Sequence, residues 1–233
     1  MSNTELSSPP VPLLVEGDRL TAAEFERRYD AMPGLKRAQL IEGVARIGEP
    51  VRFMGHAVPC SAIGCWLGSY WLATPGTRAG TRAHIRLDPL NMLQPDVSFI
   101  IRPSHGGQAR ISADGYLEGG PELVVEVWAK DIRFDFETKR RIYQRHGVRE
   151  YVVWRVERKQ VYWFVLRDGK FDRLAANSTG LMCSESFPGL WLDTAALFAE
   201  DYVKVVAVVQ QGIQDPTHAA FVAELQSRVG KTP

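Results

Sequence analysis

Pro121-Glu122-Leu123-Val124-Val125-Glu126-Val127-Trp128 reads as a strand covered on both faces, because Leu123, Val124, Val125, Val127 and Trp128 make it largely apolar and rich in β-branched valine. Past its opening Pro121-Glu122, one position breaks the apolar run: Glu126. Gln94-Pro95-Asp96-Val97-Ser98-Phe99-Ile100-Ile101 repeats the pattern upstream, with Asp96 as the acid. Taking a carboxylate out of water without a partner is costly. Acids in two buried strands therefore point to a cation between them, and a divalent metal is one candidate. Side chains alternate across a strand. Glu122, Val124, Glu126 and Trp128 share one face, and Leu123, Val125 and Val127 the other. Asp96, Ser98 and Ile100 share a face of the earlier strand. If the two strands are neighbours, Asp96 and Glu126 converge at one edge of the sheet. Two oxygen ligands of this kind suit Mg²⁺ or Mn²⁺, hard cations that keep water and bind through a few carboxylates plus substrate phosphate.

Downstream, 134–146 reads as a helix. It ends at Gly147, a suitable residue after a helix C-terminus, with Arg140, Arg141 and Arg145 near its negative end. Lys139, Ile142 and Tyr143 share one helix face, so Lys139 leans toward the sheet. There it would align an attacking water and offset charge on a phosphate. An exposed Asp135–Lys139 pair is the plain alternative. Segments 150–156, 160–166 and 170–174 read as a meander with turns at Arg158-Lys159 and Asp168-Gly169.

Upstream, Thr21 and Glu24 form a capping-box pattern at the head of a helix. Residues 40–47 read as a helix end or turn entering a strand, 55–72 as a helix, and 77–88 as one strand carrying His84, Arg86 and Asp88. Residues 103–120 form a Gly-rich stretch without periodicity. From Thr194 the chain is helical, with Asp215-Pro216 opening a last helix that runs to about residue 229. The order α–β–α–β–β–β–α–β–β–β–α–α implies an α/β (α+β) fold, a central mixed sheet flanked by helices. Domain organisation is expected as a flexible tail (1–12), one core domain (13–199) and a C-terminal helical extension (200–233).

The 233 residues are 45% hydrophobic with a net charge of +1. That supports a full core and excludes a global basic field, so a nucleic-acid partner needs a local patch. Lys130, Arg133, Lys139, Arg140, Arg141 and Arg145 form the dense basic patch, mostly a solvated helix face. Cys60, Cys65 and Cys183 make neither a disulfide framework nor a zinc spacing. Cys60 and Cys65 are expected to be buried packing residues. No segment has the form of a signal peptide, and none approaches the roughly 20 apolar residues of a membrane span. The expectation is a cytoplasmic protein without a membrane partner.

The Pro-Asp-Val strand, the Glu-Leu-Val-Val-Glu-Val strand, Lys139 with Tyr143, and Gly147-Val148-Arg149-Glu150-Tyr151 together resemble the Uma2 family. These are restriction-endonuclease-like proteins of the PD-(D/E)XK nuclease superfamily. The resemblance runs from about residue 20 to about 198. Leu40-Ile41-Glu42-Gly43 is similar to the family's Leu-Ile-Asp-Gly turn, and His56 falls where the family often places a histidine. Pro188-Gly189-Leu190 through Leu197-Phe198 is similar to its closing segment.

The resemblance implies a metal-dependent endonuclease acting on DNA. It makes Asp96, Glu126 and the Val127 carbonyl the ligands of Mg²⁺ or Mn²⁺, and Lys139 the catalytic lysine. Gln39, Glu42, His56, Lys130 and Tyr143 become supporting or substrate-contacting residues. Trp128 stands where the superfamily's usual form has its lysine. Gln39 stands where the family often has a glutamate, and Trp128-Ala129-Lys130-Asp131 replaces a hydroxyl-rich stretch. These departures, with the near-neutral charge, leave a second reading open: a weakened nuclease fold serving as a nucleic-acid-binding or protein-assembly module. The C-terminal helices are a candidate homodimer contact.

Overall fold

The structure, a computed structural model, describes residues 10–129 and 133–230. The chain runs through α1 (Ala22–Asp30), the hairpin β1 (Ala38–Ile41) and β2 (Val44–Ile47), and a π-helical turn (Phe53–Ala57) that continues into α2 (Val58–Ala73). Strands β3 (Thr77–Thr81), β4 (Ile85–Asp88), β5 (Asn91–Leu93) and β6 (Val97–Ile101) follow. Next come the short β7 (Arg110–Ile111) and β8 (Leu117–Glu118), then β9 (Leu123–Trp128) and α3 (Arg133–Arg145). The meander β10 (Glu150–Arg155), β11 (Gln160–Arg167) and β12 (Lys170–Arg173) leads to a small pair, β13 (Leu181–Cys183) and β14 (Trp191–Asp193). Helices α4 (Thr194–Phe198), α5 (Tyr202–Ile213) and α6 (Pro216–Ser227) complete the fold.

The main sheet has the order β12-β11-β10-β9-β6-β3. Only β9 and β10 in it are parallel, and α3 is the crossover that a parallel pair requires. The second sheet has the order β2-β1-β5-β4-β8-β7. Alternation places the core as the sequence implies. Val97, Phe99, Ile101, Leu123, Val125 and Val127 pack on α2 and on the C-terminal helices. Val124, Tyr151 and Val153 face Ile142 and Tyr143 of α3, together with Ile41, Ile85 and Leu93 from the second sheet. The main sheet is therefore the middle layer of a mixed α/β fold. The segment 200–233 supplies α5 and α6, whose Val205, Val209 and Leu225 join the larger core.

Several local expectations are corrected. Residues 77–88 are two strands in different sheets, because the chain turns at Arg82 with φ +52°. Residues 40–47 form a β-hairpin whose tip, Glu42-Gly43, holds φ values of 51° and 74°. Within 103–120 lie a 3-10 turn and two short strands. Thr21 caps α1 by accepting from Glu24 N at 3.3 Å, but the Glu24 carboxylate bonds Arg27 and Arg28, so the reciprocal half of the capping box is not formed. Cys65 is exposed and Cys60 only half-buried. His84 is buried, with Nε2 donating to the Ala38 carbonyl at 2.8 Å.

Candidate active site

The register Val97↔Val125 between β6 and β9 sets Asp96 across from Glu126 at the end of the pairing. Asp96 stands just before β6, its carbonyl accepting from Arg82 N at 3.1 Å. The residue is 6% exposed. Oδ2 accepts from Val127 N at 2.8 Å, which stitches the acid to the neighbouring strand. Oδ1 lies 3.0 Å from His56 Nε2.

His56 reaches that point because of the π-helical turn, in which Ala57 N donates to Arg52 O at 3.2 Å. Such insertions recur at functional positions in helices. Cys60, one α-helical turn further on, puts Sγ 3.3 Å from His56 Nε2.

Glu126 carries the second half of the site. Lys139 Nζ donates to Oε1 at 2.8 Å and to Oε2 at 3.0 Å. Tyr143 OH donates to Oε1 at 3.1 Å, and the Trp128 indole N–H approaches Oε2 at 3.4 Å. Glu126 and Lys139 are both 4% exposed, so this is a buried ion pair. The Lys139–Ile142–Tyr143 face meets the sheet, and Lys139 takes Glu126 as its partner there. Asp96, Glu126 and Lys139 together carry one excess negative charge in a dry environment, and the His56 imidazole stands against the Asp96 side of it.

Burial by itself would raise the Asp96 carboxyl. The hydrogen bond and charge of His56, the Val127 N–H and the charge of Lys139 outweigh it and hold the pKa below the ordinary value. Burial, then the charge of Glu126, pushes the Tyr143 hydroxyl well above its ordinary value, so it stays a donor. Burial and the Asp96 charge push the Cys60 thiol up to about 12.

Two further acceptors are left open beside these groups. Ser98 Oγ and Gln39 Oε1 are buried and have no hydrogen-bond partner among the described residues. Ser98 shares the strand face of Asp96, and Gln39 shares that of Ile41, which packs with Tyr143. Other buried acids behave differently. Glu122 accepts from Ile101 N and Gln108 N, and Glu150 from Trp163, Ser184 and the backbone of Glu185 and Ser186. These two organise loops.

The structure thus brings Asp96, Glu126, Val127, Lys139, Tyr143 and His56 together. Glu42 is not among them: it sits at the exposed hairpin tip, 2.8 Å from Arg145. Lys130 and the Trp128-to-Asp131 stretch beyond Ala129 lie outside the described residues. Trp128 packs edge-on against Phe136, ring centroids 5.6 Å apart, and so walls one side of Glu126. Sequence reasoning overlooked Cys60 as a polar member of the site. Its signal was the spacing of four from His56, which puts both on one helix face. It also overlooked Arg37 and Arg82, whose charges act on the Cys60 thiol.

Comparison with known proteins gives a consistent setting. The model of the Uma2 family, described as "Putative restriction endonuclease", matches residues 22–195. The fold is similar to the crystal structure of "a putative nuclease belonging to DUF820" from Anabaena variabilis ATCC 29413. That similarity has a TM-score of 0.57 at 15% identity, covering 70% of this chain and 90% of the other. No curated protein matches the sequence.

Proposed function

The chain belongs to the Uma2 family, and from that membership and the buried acid–lysine cluster we infer that it is a metal-dependent endonuclease of the PD-(D/E)XK kind, hydrolysing phosphodiester bonds in DNA. The observation that carries this reading is the bidentate Lys139–Glu126 contact at a sheet edge, with Asp96 on the facing strand. Structural need alone does not explain it, since an apolar pair would be as stable or more so.

The donor set fits Mg²⁺ or Mn²⁺. Asp96, Glu126 and the Val127 carbonyl would be its oxygen ligands, and Gln39 and Ser98 are buried oxygens without a partner among the described residues. When bound, such an ion polarises a phosphoryl oxygen and acidifies its water.

The chain's own groups do the rest. His56 and Val127 N–H orient Asp96, and Tyr143 orients Glu126. Lys139 holds a water beside the acids and offsets charge developing on the phosphorus centre. Arg37 and Arg82, whose charges reach Cys60, would contact backbone phosphates, which positions a duplex without reading its sequence.

Plasmid nicking with Mg²⁺ or Mn²⁺ tests this, comparing the native chain with Asp96→Asn and Lys139→Ala, and DNA with RNA of equal length. Nicking by the native chain and its loss in both variants is expected. Equal cleavage by all three, or none with either metal, would sink the reading. A second reading has support of its own: both oxygens of each acid are already engaged inside the protein, and Trp128 walls Glu126. On that reading the protein is a non-catalytic nucleic-acid-binding or assembly module. Calorimetry showing no Mg²⁺ or Mn²⁺ uptake by folded protein would favour it.

A further inference from the structure

We propose that His56, Cys60 and Asp96 form a binding site for a borderline-soft divalent cation of the Zn²⁺ type, which shares Asp96 with the acid–lysine cluster and takes its other two ligands from the helical segment that carries His56 and Cys60. One ligand atom from each residue lies within 4.8 Å of the others, the sole such group of three among the described residues. His56 Nε2 is 3.0 Å from Asp96 Oδ1 and 3.3 Å from Cys60 Sγ. In tetrahedral zinc sites, with metal–ligand bonds of about 2.0–2.3 Å, ligand atoms stand about 3.3–3.6 Å apart. Small side-chain adjustments therefore admit an ion at the centre of this triangle.

The chemistry of the set also selects the ion. Thiolate and imidazole favour Zn²⁺ over Mg²⁺, and three protein ligands leave a fourth position for water. The arrangement is held from two directions. The π-helical turn fixes His56 one turn before Cys60, and the Val127 N–H fixes Asp96 through its other oxygen. His56 is 8% and Asp96 6% exposed, while Cys60 is half-buried, so the triangle is sheltered yet open on the cysteine side.

Binding balances simply. The cation replaces the thiol proton, which leaves to solvent, and the imidazole ligates through Nε2 as the neutral tautomer with its one proton on Nδ1, any second ring proton leaving to solvent as well. Asp96 belongs to both sites but Glu126 and Lys139 take no part in this one, so a change at Glu126 tests the hydrolytic reading without removing a ligand from the triangle.

Co²⁺ is the probe, because thiolate ligation gives a sulfur-to-cobalt charge-transfer band in the near ultraviolet. The full-length chain, reduced and metal-free, is titrated with Co²⁺ and then with Zn²⁺. The expected result is a band that saturates at a single equivalent and is erased by Zn²⁺. It should be lost in Cys60→Ser and kept in Cys65→Ser and Glu126→Gln. His56→Ala should weaken Co²⁺ binding by at least about tenfold. Circular dichroism confirms that each variant is folded. A native chain that shows no band overturns the proposal, and so does a band that survives in Cys60→Ser or disappears in Cys65→Ser or Cys183→Ser.

Discussion

Lys139 and Glu126 make each other's burial tolerable, and the consequence is measurable at single residues. Removing one member of a buried ion pair leaves a bare charge, at a cost of about 3–5 kcal/mol. Lys139→Met is expected to destabilise the protein by about 3 kcal/mol in chemical denaturation and to abolish any metal-dependent nicking. Adding Glu126→Gln to it should recover part of the stability and none of the activity. A double-mutant cycle with coupling near zero would show that the pair contributes nothing. A second residue-scale effect concerns pH. Burial lowers the pKa of His84 below 6.5, and that of His218 likewise. A depressed folded-state pKa means that the unfolded chain takes up the proton first. The stability from neutral His84 and His218 is therefore complete above about pH 6.5 and lost as pH falls through their folded-state values. Thermal midpoints should drop on acidification from neutral pH, each histidine adding at most about 1.4 kcal/mol per pH unit. A His84→Gln, His218→Gln double variant should flatten that slope, and an unchanged slope would assign it to other groups.

Elements are joined at points where only glycine fits. Gly189 holds φ +88°, and a Cβ there would strike the carbonyl of Gly212 in α5. A Cβ on Gly212 would strike the carbonyl of Gly189 in turn. Gly212→Ala is expected to cost about 1–3 kcal/mol by levering α5 away from the segment before β14. A melting temperature equal to that of the native chain would show that the contact gives way freely. Sequence legibility followed the same divide between local and distant causes. The faces of β6 and β9, the helix α3 with Gly147 at φ +71°, and the β10–β12 meander were readable because periodicity and turn chemistry are local. The break at Arg82 was not, since alternation across 77–88 reports burial residue by residue and is silent on which sheet receives each half. Within the site, the Asp96–Glu126 facing followed from strand patterning. Lys139 had two plausible partners in sequence, and only the docking of α3 chooses Glu126. The triangle of His56, Cys60 and Asp96 needed a π-helical turn that no residue pattern announces.

At the scale of the whole molecule, the family match ends at residue 195, yet the core does not. Val205, Val208, Val209 and Leu225 from α5 and α6 are each no more than 5% exposed. His218 in α6 bonds Thr74 at the end of α2, 3.0 Å away. Trp66 and Tyr70 of α2 donate at 2.8 Å to the carbonyls of Trp191 and Pro188, on the segment against which α5 rests. Burying one such aliphatic side chain is worth about 1.5–3 kcal/mol, so the four together supply about 6–12 kcal/mol. A domain's whole net stability is about 5–15 kcal/mol. Removing 200–233 is therefore expected to leave a chain without a cooperative melt, prone to association through the uncovered face of α2. Because α2 begins at the π-helical turn that carries His56, the same truncation should also loosen Asp96 from its partner. Circular dichroism melts and size-exclusion chromatography of the 1–199 chain check this. A cooperative transition within about 5 °C of the full-length value would correspond to a loss of only about 1–2 kcal/mol, and would show that α5 and α6 are appended to the core rather than built into it.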